Sequence, residues 1–313
     1  MIPTNINDEE FNESTKTLPP SKPLSEWTDA LPQVILATAL TQQLKVMRLM
    51  GSTTVGINLP QAVKEGRILE DLLANLPSTF KLDSTSHHGI DLLKRVLVNI
   101  YLQRPLLHIY SILIRQDWEI DAIFSELQRF CLKSFVGVLN HRDHFDPMVT
   151  DPDNKFSKSS WKLFNIYFKN DVVRASFMIC QYIQFLTTKS HMLDRDHEFT
   201  HTPGTDALAR DPQFSKAKLI RLLENTLNSL IESSADSGID IKDIMFISVT
   251  IQSVRSSSTG ELKGKLMRDG CIKALLAYKE ILLRSCLDAD IQLPSQTPIS
   301  TMVEVSSSPM KVL

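Results

Sequence analysis

A chain of 313 residues, 42% of them hydrophobic, can bury a substantial core as one large domain or two modest ones. Its 34 basic and 36 acidic residues leave a formal charge of -2, so no global field draws it to phosphate backbones or anionic membranes. No basic N-terminal segment precedes an apolar run, and no stretch reaches the roughly 20 apolar residues of a membrane helix, so neither a secreted nor a membrane-spanning product is expected.

The first 25 residues are polar, and Pro19, Pro20 and Pro23 interrupt any regular hydrogen-bond ladder, which predicts an extended lead-in. Ser25 stands as a cap ahead of Glu26 and Trp27. Val34, Ile35, Thr38, Leu44, Met47 and Leu49 then recur at helical spacing up to Gly51, with Pro32 marking a first turn. Residues 60 to 76 predict a second helix, with Val63, Ile68, Leu69, Leu72 and Leu73 apolar and Pro77 stopping it. From Ile90 through Leu93, Leu97, Ile100 and Tyr101 the period is again helical. Pro105 predicts a kink or break before Leu106, Leu107, Tyr110 and Leu113 resume it, giving a buried central helix pair.

Asp117 caps a further predicted helix carrying Ile120, Ile123, Phe124, Leu127, Cys131, Phe135 and Val138 at i, i+3, i+4 spacing. Turn formers in "HRDHFDPMVTDPDNKFSKSS" interrupt it. Trp161 to Leu186 then forms another apolar helical stretch, with a break expected near Asn170 and Asp171, and residues 190 to 212 read as a polar loop. Three helices follow, at about 214 to 232, 240 to 254 and 259 to 287, the last with Leu262, Leu266, Ile272, Leu275, Leu276 and Leu283 as its apolar residues. "DIMFISVTIQ" is β-branched enough to imitate a strand, but Asp240, Asp243 and the helical neighbours favour a buried helix. From Asp290 the chain turns proline- and serine-rich, which predicts disorder. Cys131, Cys180, Cys271 and Cys286 sit in apolar helical patterns as small hydrophobes and fit a reducing setting. The expected fold is all-α, an irregular bundle of roughly eight to ten helices over residues 26–288, after a lead-in over 1–25 and before a disordered tail over 289–313.

Several patterns approach known chemistry without completing it. Gly51 and Gly56 have the spacing of a phosphate-cradling loop, but Ile57 and Asn58 stand where Lys and Ser or Thr are required. "HRDHFD" puts four metal-ligand types, His141, Asp143, His144 and Asp146, into six residues. The two His are three apart, not four with a Glu between, so a solvated helix end with cationic side chains is the simpler reading. Asp151 and Asp153 fit the start of a calcium loop, but Phe156 replaces its Gly and Lys162 its bidentate Glu. His191, His197 and His201 are spread through the polar segment after the long helix, and there is no G-x-S-x-G elbow. "NDEEF", the nearest approach to an aspartate-rich Mg²⁺ motif, precedes every predicted helix. No catalytic, cofactor-binding, metal or DNA-binding residue is therefore assigned, and no cofactor is expected.

"PTNINDEEF", followed by "LPPSKPLSEWTDALPQVILATALTQQLKVM", resembles a hallmark segment of the fungal-specific transcription factor domain, the middle homology region of fungal zinc-cluster regulators. In that family a P-x-N-I-x-D-x-(D/E) turn stands mid-domain and leads through a polar, proline-bearing stretch into a long helix; Pro3, Asn5, Ile6, Asp8 and Glu10 match it. "LLKRVLVNIYLQRPLLHIY" resembles the family's central helix through Arg104 and Pro105, with Gln103 where His is commoner. "DIKDIMFISVTIQSVR" and "ELKGKLMRDGCIKALLAYKEILL" resemble its C-terminal part. The likeness covers about residues 3 to 287.

The resemblance implies a nuclear regulator of a fungal metabolic or secondary-metabolite gene set that acts through other protein chains, a zinc-cluster transcription factor or a second copy of itself, without touching nucleic acid. Four scattered Cys cannot build the six-thiolate cluster that usually precedes this domain. The P-x-N-I-x-D turn normally follows several helices, so the chain is expected to hold the later part of a larger helical domain and to leave an apolar face uncovered. The competing expectations are an all-α enzyme of secondary metabolism with a helix-lined pocket, resting on His141 to Asp146, and a truncated paralogue without activity of its own.

Overall fold

Every regular element among the described residues is helical. The computed structural model describes residues 3–51, 59–81, 90–113, 122–146, 155–193, 214–237, 239–256 and 260–288. The longer helices are α1 (Leu31–Gly51), α2 (Leu59–Ala74), α3 (Ile90–Leu113), α4 (Ala122–Asp143), α5 (Lys155–Leu193) and α6 (Lys216–Glu232). A single turn, α7 (Ser234–Ser237), leads to α8 (Ile241–Arg255) and α9 (Gly260–Asp288), and 3₁₀ turns stand at Asp8–Glu10 and Ser78–Phe80. The all-α expectation holds, including the helical reading of "DIMFISVTIQ", which forms most of α8. The predicted tail over 289–313, the cap at Asp117 and most of the 190–212 loop lie outside the described residues.

α3 is the centre of the packing because two opposite sides of it are apolar. Leu93, Val96, Ile100 and Leu107 are buried in the main core with α4 and α5; Val98 and Leu102 are buried in a smaller core with Leu31, Ile35 and Ala39 of α1 and with Phe80. α5 has 39 residues, about 58 Å at 1.5 Å per residue, and packs against α3 and α4 as well as α6 and α8. α8 and α9 form a close pair, where Ser248 Oγ donates to the Gly270 carbonyl at 2.9 Å and a Cβ at Gly270 would collide with the Gln252 side chain.

Three expected boundaries are corrected. Helix α1 begins at Leu31, not after Ser25, because residues 24–30 are engaged by the lead-in. No break occurs at Asn170 and Asp171. Asp171 sits mid-α5 as the buried partner of Arg104, which donates from Nε and Nη2 to its two oxygens at 2.9 and 2.7 Å while stacking 4.0 Å over the Tyr101 ring.

Nor does Pro105 break α3. A proline inside a helix withholds its N–H from the carbonyl four residues back, here that of Tyr101. Gln43 of α1 supplies the missing donor, its Nε2 lying 3.0 Å from the Tyr101 oxygen. The predicted helix pair is therefore one continuous helix whose orphaned acceptor is satisfied from a neighbour.

The lead-in is tied down by Asn5, which is fully buried. Its Nδ2 donates to the carbonyls of Lys22 and Pro23 at 3.1 and 3.0 Å, its Oδ1 accepts from Thr28 Oγ1, and its backbone pairs with Ser21 and Lys22. Ile6 is buried beside it and accepts from the Ala30 N–H at 3.3 Å. Asp29 then accepts from the Asp8 N–H and from Lys94 Nζ of α3, each at 3.3 Å. The proline-bearing stretch is extended because Asn5 satisfies its carbonyls in place of a ladder.

Replacing Gln43 by Ala is expected to cost about 1–2 kcal/mol by stranding the Tyr101 carbonyl, and much less in a Pro105→Ala background, where residue 105 regains its N–H. Urea unfolding of the two single variants and the double variant measures that coupling; additive losses would contradict the account. In the same assay Asn5→Ala is expected to lose about 2–4 kcal/mol, since it removes the buried side-chain donor to the Lys22 and Pro23 carbonyls and the acceptor of the Thr28 hydroxyl.

Candidate functional site

The sequence "HRDHFD" falls at the C-terminal end of α4, and Phe145 decides what becomes of it. The chain turns after Asp143, with the N–H groups of Phe145 and Asp146 donating to the Arg142 carbonyl at 2.9 and 3.1 Å. Phe145 enters the main core and stacks on Phe164 of α5 at 5.3 Å between centroids. Its burial pulls the turn inward and carries Asp146 against α6, where Ser229 Oγ donates to Asp146 Oδ2 at 2.8 Å. The helix end is therefore only partly solvated: His141, Arg142 and Asp146 are buried, which corrects the expectation for them, while Asp143 is partly exposed and His144 exposed.

Arg142 is drawn in with it and is only 3% exposed. Its Nη2 and Nε donate to Asp143 Oδ1 at 2.6 and 3.2 Å, and Nε lies 3.8 Å from Asp146 Oδ2. A cation at the C-terminal end of a helix also complements its dipole. Among the described residues, Nη1 has no hydrogen-bond partner.

His141 is a neutral core residue. Burial, with a smaller contribution from the nearby His144, pushes its pKa down to about 3. Its Nε2 finds no partner among the described residues, and the two rings lie 6.2 Å apart. Among the described residues, no three His, Cys, Asp or Glu side chains come together as a metal site. Asp143 and Asp146 are instead gathered around the Arg142 guanidinium.

A cavity of about 480 Å³ opens beside this turn, between α4, α6 and α9. Arg142, Asp143 and Asp146 line one side, Ile231 and Ala277 add apolar wall, and α6 contributes Asn225, Asn228, Ser229 and Glu232. Those four recur at i, i+3, i+4, i+7 and so form one stripe, while Leu219, Leu223 and Leu230 send another face of α6 into the core. The sequence reading did not single out this polar stripe or Arg142. The spacing N-x-x-N-S-x-x-E was its one visible signal, and such a stripe ordinarily faces solvent.

The other patterns considered in the sequence do not meet here. Pro3 to Glu10 belongs to the lead-in, Gly51 ends α1, Lys162 lies on the exposed side of α5 and His191 near its end. Residues 52–58, Asp151, Asp153, His197 and His201 lie outside the described residues.

The chain is 20% identical over 269 residues to Transcription factor opdR of Penicillium oxalicum, an overlap of 83% of this chain and 33% of that relative. It is thus similar to a fungal transcription factor along most of its own length while spanning about a third of the relative's. No family model matches the chain. No solved structure matches it.

The buried imidazole sets an acid limit on stability. In the unfolded chain His141 takes up its proton near pH 6.5, and in the folded chain near pH 3, so the unfolded state binds the extra proton between those values. The stability it contributes is complete above about pH 6.5 and drains as pH falls toward 3, at up to about 1.4 kcal/mol per unit. His141→Leu is expected to flatten the loss of unfolding free energy between about pH 6 and 4, by about 1 kcal/mol per unit. Urea titrations of both proteins at several pH values test this; parallel profiles would refute it.

Proposed function

We propose that this chain is a regulatory region of a fungal transcription regulator, working in the nucleus through contacts with other protein chains. The similarity to opdR over most of the chain carries this reading. The match of Pro3, Asn5, Ile6, Asp8 and Glu10 to the P-x-N-I-x-D turn supports it, and so does the physical role of Asn5 in seating that turn.

The surface suits protein contact. On α1, Leu40, Leu44 and Met47 are 50%, 47% and 49% exposed and stand at i, i+4, i+7, an apolar stripe on one side of the helix. On α9, Leu262, Leu276 and Leu287 are exposed as well. Single exposed apolar residues are ordinary, but aligned ones on a long helix suit the packing of another helix. The partners proposed are a zinc-cluster transcription factor or a second copy of this chain, and the genes proposed are those of a metabolic or secondary-metabolite set.

Fused to an unrelated DNA-binding module, the chain is expected to change the output of a reporter carrying that module's operator, relative to the module alone. Leu40→Glu with Leu44→Glu should abolish the change without altering the helical circular dichroism spectrum, because both side chains are half outside the fold. An unaltered reporter with a folded, nuclear fusion protein would overturn the reading.

A further inference from the structure

Helix α9 has two apolar faces, and the fold uses only one of them. Ala274, Ala277, Tyr278 and Ile281 pack into the main core, where α8 lies against the helix. Leu262, Leu276 and Leu287 are 57%, 62% and 71% exposed, Leu266 is exposed with them, and Leu283 is half-buried. At about 100° per residue these five leucines fall within one stripe about 100° wide.

Asp269, Lys273 and Glu280 fill the places between the leucines on that stripe, and all three are exposed. From Leu262 to Leu287 the positions are then spaced 4, 3, 4, 3, 4, 3 and 4. That alternation is the seam of a coiled coil, in which each side chain seats between those of a facing helix.

The order of residues along the seam specifies what faces it. Two copies laid parallel would set Asp269 on Asp269, Lys273 on Lys273 and Glu280 on Glu280, like charge against like in three layers. Laid antiparallel about a two-fold axis between Ala274 and Leu275, the seam matches itself. Leu262 meets the partner's Leu287 and Leu266 meets the partner's Leu283 at both ends, and in the middle Leu276 meets the stem of the partner's Lys273.

The charges are reconciled in the same arrangement. Asp269 shares a layer with the partner's Glu280, and Lys273 stands one turn, about 6 Å, along the helix from both. Side chains on a helix lean toward its N-terminus, so in antiparallel helices Lys273 and the partner's Glu280 lean toward each other. Within one copy Glu280 Oε1 accepts from Arg284 Nη2 at 2.5 Å, which leaves Oε2 to accept from the partner's Lys273. The formal charge of -2 adds little repulsion between whole chains.

We propose that α9 is the self-association helix of this protein and that two copies pair antiparallel along this seam as a two-fold dimer. It rests on the reading of the chain as one that works through protein contacts, and it assigns α9 to the second copy. A helix of 29 residues is about 43 Å long, and a strip about 10 Å wide along it covers on the order of 400 Å² on each copy. That is small for a protein interface, so the dimer is reversible, with a Kd of about 10–100 μM.

Sedimentation equilibrium of the purified chain between about 1 and 500 μM is expected to pass from monomer to dimer. Leu276→Glu with Leu287→Glu, both at exposed positions, should weaken the dimer at least about tenfold and leave the helical circular dichroism spectrum unchanged. Lys273→Glu and Glu280→Lys each set two like-charged contacts in their own dimer and should each weaken it about tenfold. An equimolar mixture of these two variants has opposite charges at both contacts and should recover an affinity within about threefold of the unmodified chain.

A chain that stays monomeric over this range, as it would if the face were kept for a different protein, overturns the assignment. So does a dimer indifferent to Lys273→Glu, or a mixture that associates no more tightly than its two components. Sedimentation involves no reporter, so a monomer leaves the transcriptional reading standing with another partner, and an unaltered reporter leaves the dimer standing.

Discussion

A helix buried on two opposite sides cannot leave its polar groups to water, and that constraint on α3 organises the structure around it. α3 carries a proline, two arginines and a glutamine in its central turns, and each must be accommodated by a neighbour or remain a cost. Gln43 of α1 answers the carbonyl that Pro105 orphans, and Asp171 of α5 answers Arg104 with two charge-assisted bonds. Arg95 lies 4.7 Å over the Trp27 ring, which itself packs on Phe80. Each compensation sets the position of another element. α1 is held along its length by one hydrogen bond as well as by Ile35 and Ala39, and α5 is fixed in rotation by its aspartate.

The same seam has an electrostatic side. His108, one turn beyond Arg104, lies 2.8 Å from Arg174 Nη1, one turn beyond Asp171, and burial together with the Arg174 cation holds its pKa below the ordinary value. The α3–α5 contact thus pairs an ion pair with a neutral imidazole facing a guanidinium. Replacing a buried ion pair by apolar residues of equal volume is often neutral in stability, so its consequence here is orientation more than net energy. α5 continues beyond this seam to pack against α6 and α8.

At the other end of α4 an apolar anchor turns a polar sequence inward. Phe145 takes its place in the core, and the residues around it have to be reconciled with burial: His141 by giving up its charge, Asp146 by accepting from Ser229, Arg142 by gathering the carboxylates. Among the described residues, one buried donor of Arg142 stays without an acceptor. On the outer surface, α1 and α9 keep leucines that no part of the described fold covers.

Helical periodicity, composition and the punctuation by Pro and Gly were enough to establish an all-α fold and to locate nearly every helix, because those signals are local and the burial of apolar faces reinforces them. The P-x-N-I-x-D turn was legible as a motif, although its physical meaning, Asn5 holding the carbonyls of Lys22 and Pro23, depends on residues about seventeen positions away. What the tertiary structure alone decided is how locally unfavourable residues are compensated. Pro105 reads as a break until Gln43, 62 positions earlier, supplies a donor. Asp171 reads as a helix breaker until Arg104 pairs with it. "HRDHFD" reads as a solvated end until Phe145 is packed. In each case the deciding partner is close in space and distant in sequence, and periodicity carries no record of such partners.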